Sequence, residues 1–201
     1  MLEFVRHMVR LNPRAITERE RPRPHPYEPP DWSFQVHPVH PVKVPPAQPR
    51  WCWAACTEMV LKRYGNMTKD QCNVASDKLS EMCCTLPRPQ CNRYCTTEDV
   101  EDIYTSYGIH CVRSNGREAF QILKSETDSG RPVEIGIIWQ NGLGDGHLII
   151  AWKTSTINGQ QLVHVNDPDP SHNEGVVLFS DLNTAYYGDG VWCETWTNIH
   201  G

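Results

Sequence analysis

The stretch WCWAACTEMVLKRYGN, residues 51–66, decides how the fold of this 201-residue chain is interpreted. Apolar residues recur along it at helical spacing, and Gly65 supplies a stop signal, so the stretch predicts a helix. Cys52 stands where this helix begins. A helix N-terminus carries about half a positive charge, which favours the reactive thiolate form of a cysteine over the thiol. Cys52 is therefore the candidate nucleophile.

A second thiol, Cys56, lies one helical turn after Cys52, about 6 Å away on nearly the same face. Its position inside the helix favours a place in the core or in a disulfide over a place in a reactive site. The sequence thus predicts that Cys52 is the nucleophile and that Cys56 is a structural residue.

The composition suits one compact domain and argues against two classes of partner. Hydrophobic residues make up 39% of the chain, which is enough for a sizeable core. The formal net charge is only -5 and no run of Lys and Arg is dense, so nucleic acid is not an expected partner. No segment resembles a membrane span, and the first 20 residues lack the apolar run of a signal peptide. We therefore expect a soluble protein without membrane insertion.

A proline-rich segment precedes the predicted helix. Residues 13–49 hold eleven of the sixteen prolines, a density that disfavours helix and sheet and favours an extended, polyproline-like conformation. We therefore divide the chain into an N-terminal extension, residues 1–47, and a folded domain, residues 48–201. The extension is interpreted as a linker, a propeptide or a delivery segment.

The rest of the sequence predicts helices followed by strands. Residues 68–95 are interpreted as a loop-like insertion that holds five cysteines and needs cross-links for its order. A second helix is predicted from a capping box at Thr96 to Gly108, and a third over residues 117–127. Strand-like segments follow from Pro132: PVEIGIIW, HLIIAWK, QLVHVNDP, GVVLFS and VWCETWTNI. This order predicts an α+β fold, with the nucleophile helix in an N-terminal helical part packed against a C-terminal antiparallel sheet.

The nine cysteines form an unusual set for a domain of this size. One nucleophile and eight paired cysteines would suit a protein of an oxidising compartment. Zinc ligands or free thiols would give the same count, so the count alone leaves these alternatives open.

A general base for Cys52 is predicted at His147. The stretch GLGDGHLIIAW, residues 142–152, places this histidine where a glycine-rich turn meets a strand, so that backbone and substrate can approach closely. Six other histidines lack a comparable setting and are interpreted as structural or surface residues: His37, His40, His110, His164, His172 and His200.

The base needs an acceptor that orients its ring, and the next predicted strand ends in Asn166 and Asp167. If the two strands form a hairpin, the start of the first lies beside the end of the second. Spacing leaves the choice between the two residues open, and we favour Asp167. Gln48, four residues before Cys52, is the candidate donor to the oxyanion, a role that depends on the Cys52 assignment.

Three motifs resemble those of bacterial papain-like cysteine proteases: Gln48-Pro-Arg-Trp-Cys52-Trp-Ala-Ala, Gly146-His147 and Asn166-Asp167-Pro168. The pattern is similar to bacteriocin-leader peptidases and to effector proteases of plant pathogens, from about Gln48 to Trp196. The resemblance implies a papain-like fold and peptide-bond hydrolysis through an acyl-enzyme, without cofactor or metal. It implies that Cys52, His147, Asp167 and Gln48 form the catalytic set. In papain, however, the glutamine lies six residues before the cysteine, where this chain has Pro46.

A protease of this kind implies a protein or peptide substrate. The cysteine-rich insertion indicates an oxidising destination, so we expect secretion or translocation by a specialised route, as for an effector or antibacterial toxin with a cognate inhibitor. The cytoplasm of the producer or of the target cell is the alternative location. Two rival functions are a glutamine deamidase or transamidase that uses the same residues, and a non-catalytic binding module stabilised by zinc or disulfides. The spacing of the cysteines between residues 72 and 95 fits no common zinc finger.

Overall fold

The computed structural model describes residue 41 and residues 43–85, 89–140, 145–172 and 175–201. The first 40 residues of the predicted extension lie outside these ranges, and the interpretation of the extension as linker, propeptide or delivery segment stays a prediction. Within the described ranges, no helix has both the length and the apolar composition that crossing a membrane requires.

Five α-helices form in the described part of the chain, together with one 3-10 turn at Pro89–Cys91. They are α1 (Cys52–Arg63), α2 (Gln71–Leu79), α3 (Thr97–Ser106), α4 (Phe120–Asp128) and α5 (Phe179–Thr184). The three predicted helices correspond to α1, α3 and α4. The predicted capping box of α3 is present, with Thr96 and Asp99 exchanging hydrogen bonds between side chain and backbone.

The described ranges also form one six-stranded sheet. Its strands are β1 (His110–Asn115), β2 (Val133–Trp139), β3 (Gly146–Ile157), β4 (Gln160–Asn166), β5 (Gly175–Leu178) and β6 (Gly190–His200). Their order in space is β1-β6-β2-β3-β4-β5, and every neighbouring pair is antiparallel. The five segments predicted as strands correspond to β2 to β6. The predicted α+β class is confirmed.

The sheet is covered by helices on both faces, and β3 shows how. Leu148 and Ile150 belong to the core that contains α1, α2 and α3. Ile149 and Ala151 belong to a second core that contains Phe120 of α4 and Leu182, just inside α5. Because successive strand residues point to opposite faces, a strand buried on both sides is continuously apolar instead of alternating. Burial on both faces is therefore the reason that the run LIIA in β3 is apolar without interruption.

Helix α1 is buried along most of its length, since every residue from Trp53 to Leu61 is buried. Cys56 has no exposed surface, and its thiol donates to the Leu148 carbonyl oxygen at 3.3 Å. Burial raises the pKa of the Cys56 thiol well above its ordinary value. The predicted structural role of Cys56 is therefore confirmed as a core position, and this contact brings the first turn of α1 against the start of β3.

The interpretation of residues 68–95 as loop is wrong for α2. Asp70 caps this helix by accepting a hydrogen bond from the Asn73 backbone N–H at 3.0 Å, and Val74 and Ala75 are buried in the core beneath α1. A single cap and two small apolar residues gave too weak a periodic signal for a nine-residue helix. Strand β1 is not predicted by the sequence either, because the edge strand HCVRSN is polar and has three exposed and three half-buried residues.

Cross-links do order the cysteine-rich segment. Disulfides join Cys72 to Cys84 and Cys83 to Cys91. Of the alternatives that the cysteine count leaves open, the one with eight paired cysteines does not occur, because five are free: Cys52, Cys56, Cys95, Cys111 and Cys193.

The described end of the N-terminal extension makes specific contacts with the folded domain. The Ala47 backbone N–H donates to Gln71 Oε1 at 2.8 Å, and Gln71 Nε2 donates back to the Pro45 carbonyl at 2.6 Å. Val44 packs against the core that contains α1. The polypeptide therefore approaches Cys52 along α2, held by the buried amide of Gln71.

Removal of the Cys72–Cys84 disulfide should destabilise the domain measurably. We expect the double variant Cys72→Ser/Cys84→Ser to lose about 2 to 3 kcal/mol of unfolding free energy in urea, because the unfolded chain gains the entropy of the opened loop. Cys111→Ser, a free half-buried thiol, is the control and should lose less. Equal stability of the double variant and the wild type would contradict the pairing.

Candidate active site

The hairpin of β3 and β4 brings His147 to Asp167. Ile150 lies opposite Asn166 in the antiparallel register, so the start of β3 lies beside the residues that follow β4. His147 Nε2 is 2.6 Å from Asp167 Oδ1. Both side chains are buried, with Asp167 having no exposed surface. The predicted alignment of the two strands is present in the structure.

Cys52 is the first residue of α1 and is half-buried. The preceding residue, Trp51, cannot cap the helix, because an indole has a donor only, and its Nε1 donates to the Cys91 carbonyl at 2.7 Å. The first turn also lacks acidic residues. The positive end of the helix dipole therefore acts on Cys52 without a competing carboxylate from that turn.

The imidazole of His147 lies between the nucleophile and the acid. Its Nε2 faces Asp167 at 2.6 Å, and Cys52 lines the same cleft as His147, so Nδ1 is the ring nitrogen left for the thiol. Burial alone lowers the pKa of His147, but the hydrogen bonds to Asp167 and Cys52 outweigh it and raise that pKa to about 10. The arrangement therefore stabilises an imidazolium between two acidic partners.

Four donors converge on the Asp167 carboxylate. Oδ1 accepts from His147 and from the Asp169 backbone N–H at 2.8 Å. Oδ2 lies 2.8 Å from His172 Nδ1 and accepts from the Tyr186 hydroxyl at 2.9 Å. Burial raises the pKa of Asp167, but the hydrogen bonds from His147 and His172 dominate and hold it well below its usual range. Asp167 is thus ionised and fixed in orientation.

His172 and Tyr186 were not among the residues predicted from the sequence. His172 was interpreted as structural or surface, yet it is half-buried against the carboxylate that orients His147. The turn that follows β4 and the segment after α5 bring these residues to Asp167, and no local motif marks either one. The sequence signal that could have drawn attention to His172 is its position five residues after Asp167, across a turn of Asp and Pro.

Trp139, at the end of β2, covers the side of the His147–Asp167 pair. Its ring is stacked with that of His147 at a centroid distance of 5.8 Å, and it also contacts His172 at 5.8 Å and Tyr186 at 6.3 Å. An aromatic cover excludes water from the hydrogen bond and strengthens it.

Asn166 and Asp167 have different partners. The Asn166 side chain donates to the Pro41 carbonyl, on the described end of the extension. Its Oδ1 is buried and has no partner among the described residues. Asp167, not Asn166, therefore contacts the imidazole.

Gln48 makes no hydrogen bond to the other three predicted residues and does not line the cleft beside Cys52 and His147. It is half-buried in the bend before α1, where its carbonyl accepts from the Trp51 backbone N–H at 3.1 Å. Its side chain makes no hydrogen bond to any residue that the structure describes. Its role as oxyanion donor stays a prediction.

A cleft of about 400 Å³ opens beside Cys52 and His147. Trp53, Val100, Ile137, Leu148 and Trp196 form its apolar walls. Such a cleft can hold a side chain of a peptide whose carbonyl lies at the thiol.

In the described ranges, two groups of side chains bring potential metal-ligand atoms close together. One consists of His147, Asp167 and His172, whose ligand atoms lie within 4.8 Å of one another. Its atoms are already engaged in the hydrogen bonds of 2.6 and 2.8 Å described above. The other contains Cys72 and Cys84, which form a disulfide. Neither arrangement favours a metal over the bonds it now makes.

The raised pKa of His147 should make stability depend on pH in a defined window. A histidine with a raised pKa in the folded state stabilises the fold fully below its unfolded pKa of 6.5, and this contribution is lost as pH rises through about 10. Between pH 6.5 and 10, we expect the unfolding free energy of the wild type to fall more steeply than that of Asp167→Asn.

The comparison is made by urea unfolding across that window, with Asp128→Asn, an exposed position, as the matched control. Other buried groups, such as Glu134, whose pKa burial raises to about 8, titrate in all three proteins and cancel in the difference. Identical slopes for wild type and Asp167→Asn would contradict the electrostatic account.

No family model and no curated protein matches the sequence. Among solved structures, the chain is similar to the peptidase domain of Streptococcus ComA, a bi-functional ABC transporter involved in a quorum-sensing pathway. The TM-score is 0.53 at 16% sequence identity, over 79% of this chain and 98% of that one. Identity at this level shows the fold alone. The chain has the papain-like α+β fold of a ComA-type peptidase domain.

Proposed function

We propose that this chain is a cysteine peptidase that uses Cys52 as nucleophile, His147 as general acid and base, and Asp167 as the residue that orients the base. The observation that carries the proposal is the buried imidazole of His147, which is held by Asp167 Oδ1 at 2.6 Å and lines the same cleft as Cys52 at the start of α1. The papain-like fold supports it, since the neighbour in that fold is itself a peptidase domain.

The resting site is a thiolate and imidazolium pair. The raised pKa of His147 means that both nitrogens of its ring are protonated at neutral pH. The start of α1 favours the anionic sulfur. In the first step, the Cys52 sulfur attacks the peptide carbonyl, a C–S bond forms, and the electron pair of the C=O bond moves to oxygen. The Cys52 backbone N–H can donate to this oxyanion, and Gln48 is the proposed second donor.

Collapse of the intermediate breaks the C–N bond. The Nδ1 proton of His147 passes to the leaving amine, and the acyl group stays on the Cys52 sulfur. Neutral His147 then takes a proton from water, whose oxygen attacks the thioester and releases the acid. Asp167 keeps Nε2–H pointed at itself throughout, so that Nδ1 always faces the sulfur.

The rival function, a zinc-stabilised binding module, would need free cysteines as zinc ligands in the cysteine-rich segment. Four of the five cysteines between residues 72 and 95 are paired in disulfides. A disulfide sulfur has no proton to lose and is not available as a zinc thiolate. The zinc-stabilised form of the binding module is therefore not favoured.

The two disulfides also bear on where the protein acts. Disulfides persist in oxidising compartments, so we propose that the chain works outside the cytosol, as a secreted or translocated effector or toxin with a cognate inhibitor. Recovery of the protein from culture medium with both disulfides formed tests this proposal. Recovery only from the cytosol, with free thiols, would contradict it.

Cys52→Ala should abolish cleavage, while Cys56→Ala should keep it. We expect the rate on a synthetic peptide library to fall at least about a thousandfold in Cys52→Ala, because no other group can form the acyl-enzyme. Cys56→Ala removes a neighbouring thiol that lies in the core and faces Leu148, so it is the matched control.

Mass spectrometry of the treated peptides identifies the reaction. Fragments that depend on Cys52 show hydrolysis of the backbone. Glutamine peptides that change in mass without being cut would instead show deamidation or transamidation through the same acyl-enzyme. Persistent cleavage by Cys52→Ala would overturn the assignment of the nucleophile.

A further inference from the structure

We propose that the cleft beside Cys52 is a recognition subsite for a substrate side chain with an apolar stem and a cationic end, lysine or arginine, and that Glu194 binds the cation. The inference rests on the proposed peptidase function and concerns which peptides the site selects. It follows from the walls of the cleft, its charges and the position of Glu194.

The length of the cleft matches such a side chain. Gly136 of β2 lies opposite Leu148 of β3 on one side and opposite Glu194 of β6 on the other. Glu194 is therefore two strand spacings, about 10 Å, from Leu148, the residue next to His147. Both residues line the cleft together with its apolar walls. A lysine or arginine stem can lie along apolar walls while its charged end continues to a polar partner.

The charges of the cleft favour a cation. The described residues that line it include the carboxyl groups of Asp145 and Glu194 and no Lys or Arg. Cys52 and His147 balance each other as the proposed thiolate and imidazolium. The cleft therefore has an excess of negative charge, and low-dielectric walls increase its effect on a bound ion.

Glu194 has capacity for another donor. Its side chain is 16% exposed, and its buried Oε2 lies 3.3 Å from Arg113 Nε in a geometry that makes no hydrogen bond. Oε1 accepts no hydrogen bond from the described residues. Oε1 is therefore the oxygen that an ammonium or guanidinium group can reach, while Oε2 faces Arg113.

The nearby cation does not cancel this charge. Arg113 is shared among three carboxylates, at 3.2 Å from Glu98, 3.3 Å from Glu101 and 3.3 Å from Glu194. One guanidinium opposite three carboxylates leaves the cluster negative. Glu98 and Glu101 do not line the cleft, so Glu194 is the member of the cluster that a substrate can reach.

Gly136 keeps the floor of the cleft compatible with Glu194. A Cβ at this position would lie 3.0 Å from the Glu194 Cβ and 3.7 Å from the Cys193 sulfur. Real Cβ contacts are seldom this close, so a side chain at position 136 would require Glu194 to shift by a few tenths of an ångström. A glycine at position 136 therefore leaves the room that Glu194 needs.

The test uses the full chain and a peptide library randomised at four positions on each side of the cleaved bond. We expect the wild type to enrich lysine or arginine at one of these positions. Matched peptides with lysine or the uncharged norleucine at that position should then differ about tenfold or more in kcat/KM. In Glu194→Gln, this ratio should fall to about one. Glu101→Gln, which contacts the same Arg113 outside the cleft, should keep the wild-type ratio.

The outcomes separate this inference from the proposed function. If the wild type cuts no peptide, the peptidase proposal fails and the subsite fails with it. If it cuts peptides without preferring a cation, or keeps the preference in Glu194→Gln, only the subsite assignment is overturned. Circular dichroism of Glu194→Gln verifies that it is folded, and the ratio of two substrates within one variant is independent of the amount of active enzyme.

Discussion

The buried hydrogen bond between His147 and Asp167 is the interaction on which the rest of the site depends. A carboxylate without exposed surface is costly unless donors surround it. Here the sheet, the turn after β4 and the segment after α5 supply four donors, and Trp139 covers the side of the pair. Asp167 is thereby kept ionised, and an ionised Asp167 in turn keeps His147 protonated and fixed in direction. The proposed reactivity of the Cys52 sulfur depends on this protonated and oriented imidazole.

The position of the nucleophile is set by the packing of helix α1 in the core. Helix α1 is buried on nearly all sides, so its axial position is fixed by the core and not by its own capping. The hydrogen bond from Cys56 to the Leu148 carbonyl joins it directly to the strand that carries His147. Two cysteines one turn apart thus have separate tasks, one in the core and one at the site. The Cys83–Cys91 disulfide fixes Cys91, whose carbonyl accepts the hydrogen bond from the Trp51 indole.

Much of this arrangement could be predicted from the sequence, because it arises from local signals. Helical spacing and the stop at Gly65 gave α1, and β-branched runs between turns gave five strands. The hairpin that joins His147 to Asp167 followed from two adjacent strands alone. Residues that depend on distant segments were missed or misread. His172 and Tyr186 meet Asp167 only through the packing of α5 and the turn after β4, and the polar edge strand β1 is stabilised by pairing with β6 rather than by its own apolar pattern.

The central claim is that His147 activates Cys52, and the rate of alkylation by iodoacetamide at mildly acidic pH tests it most directly. Peptide mapping compares Cys52 with Cys95, Cys111 and Cys193, three half-buried thiols whose pKa values are raised by burial. The account predicts that Cys52 is alkylated first and far faster than the other three, and that His147→Ala removes this advantage. Similar rates for all four thiols, unchanged in His147→Ala, would contradict it.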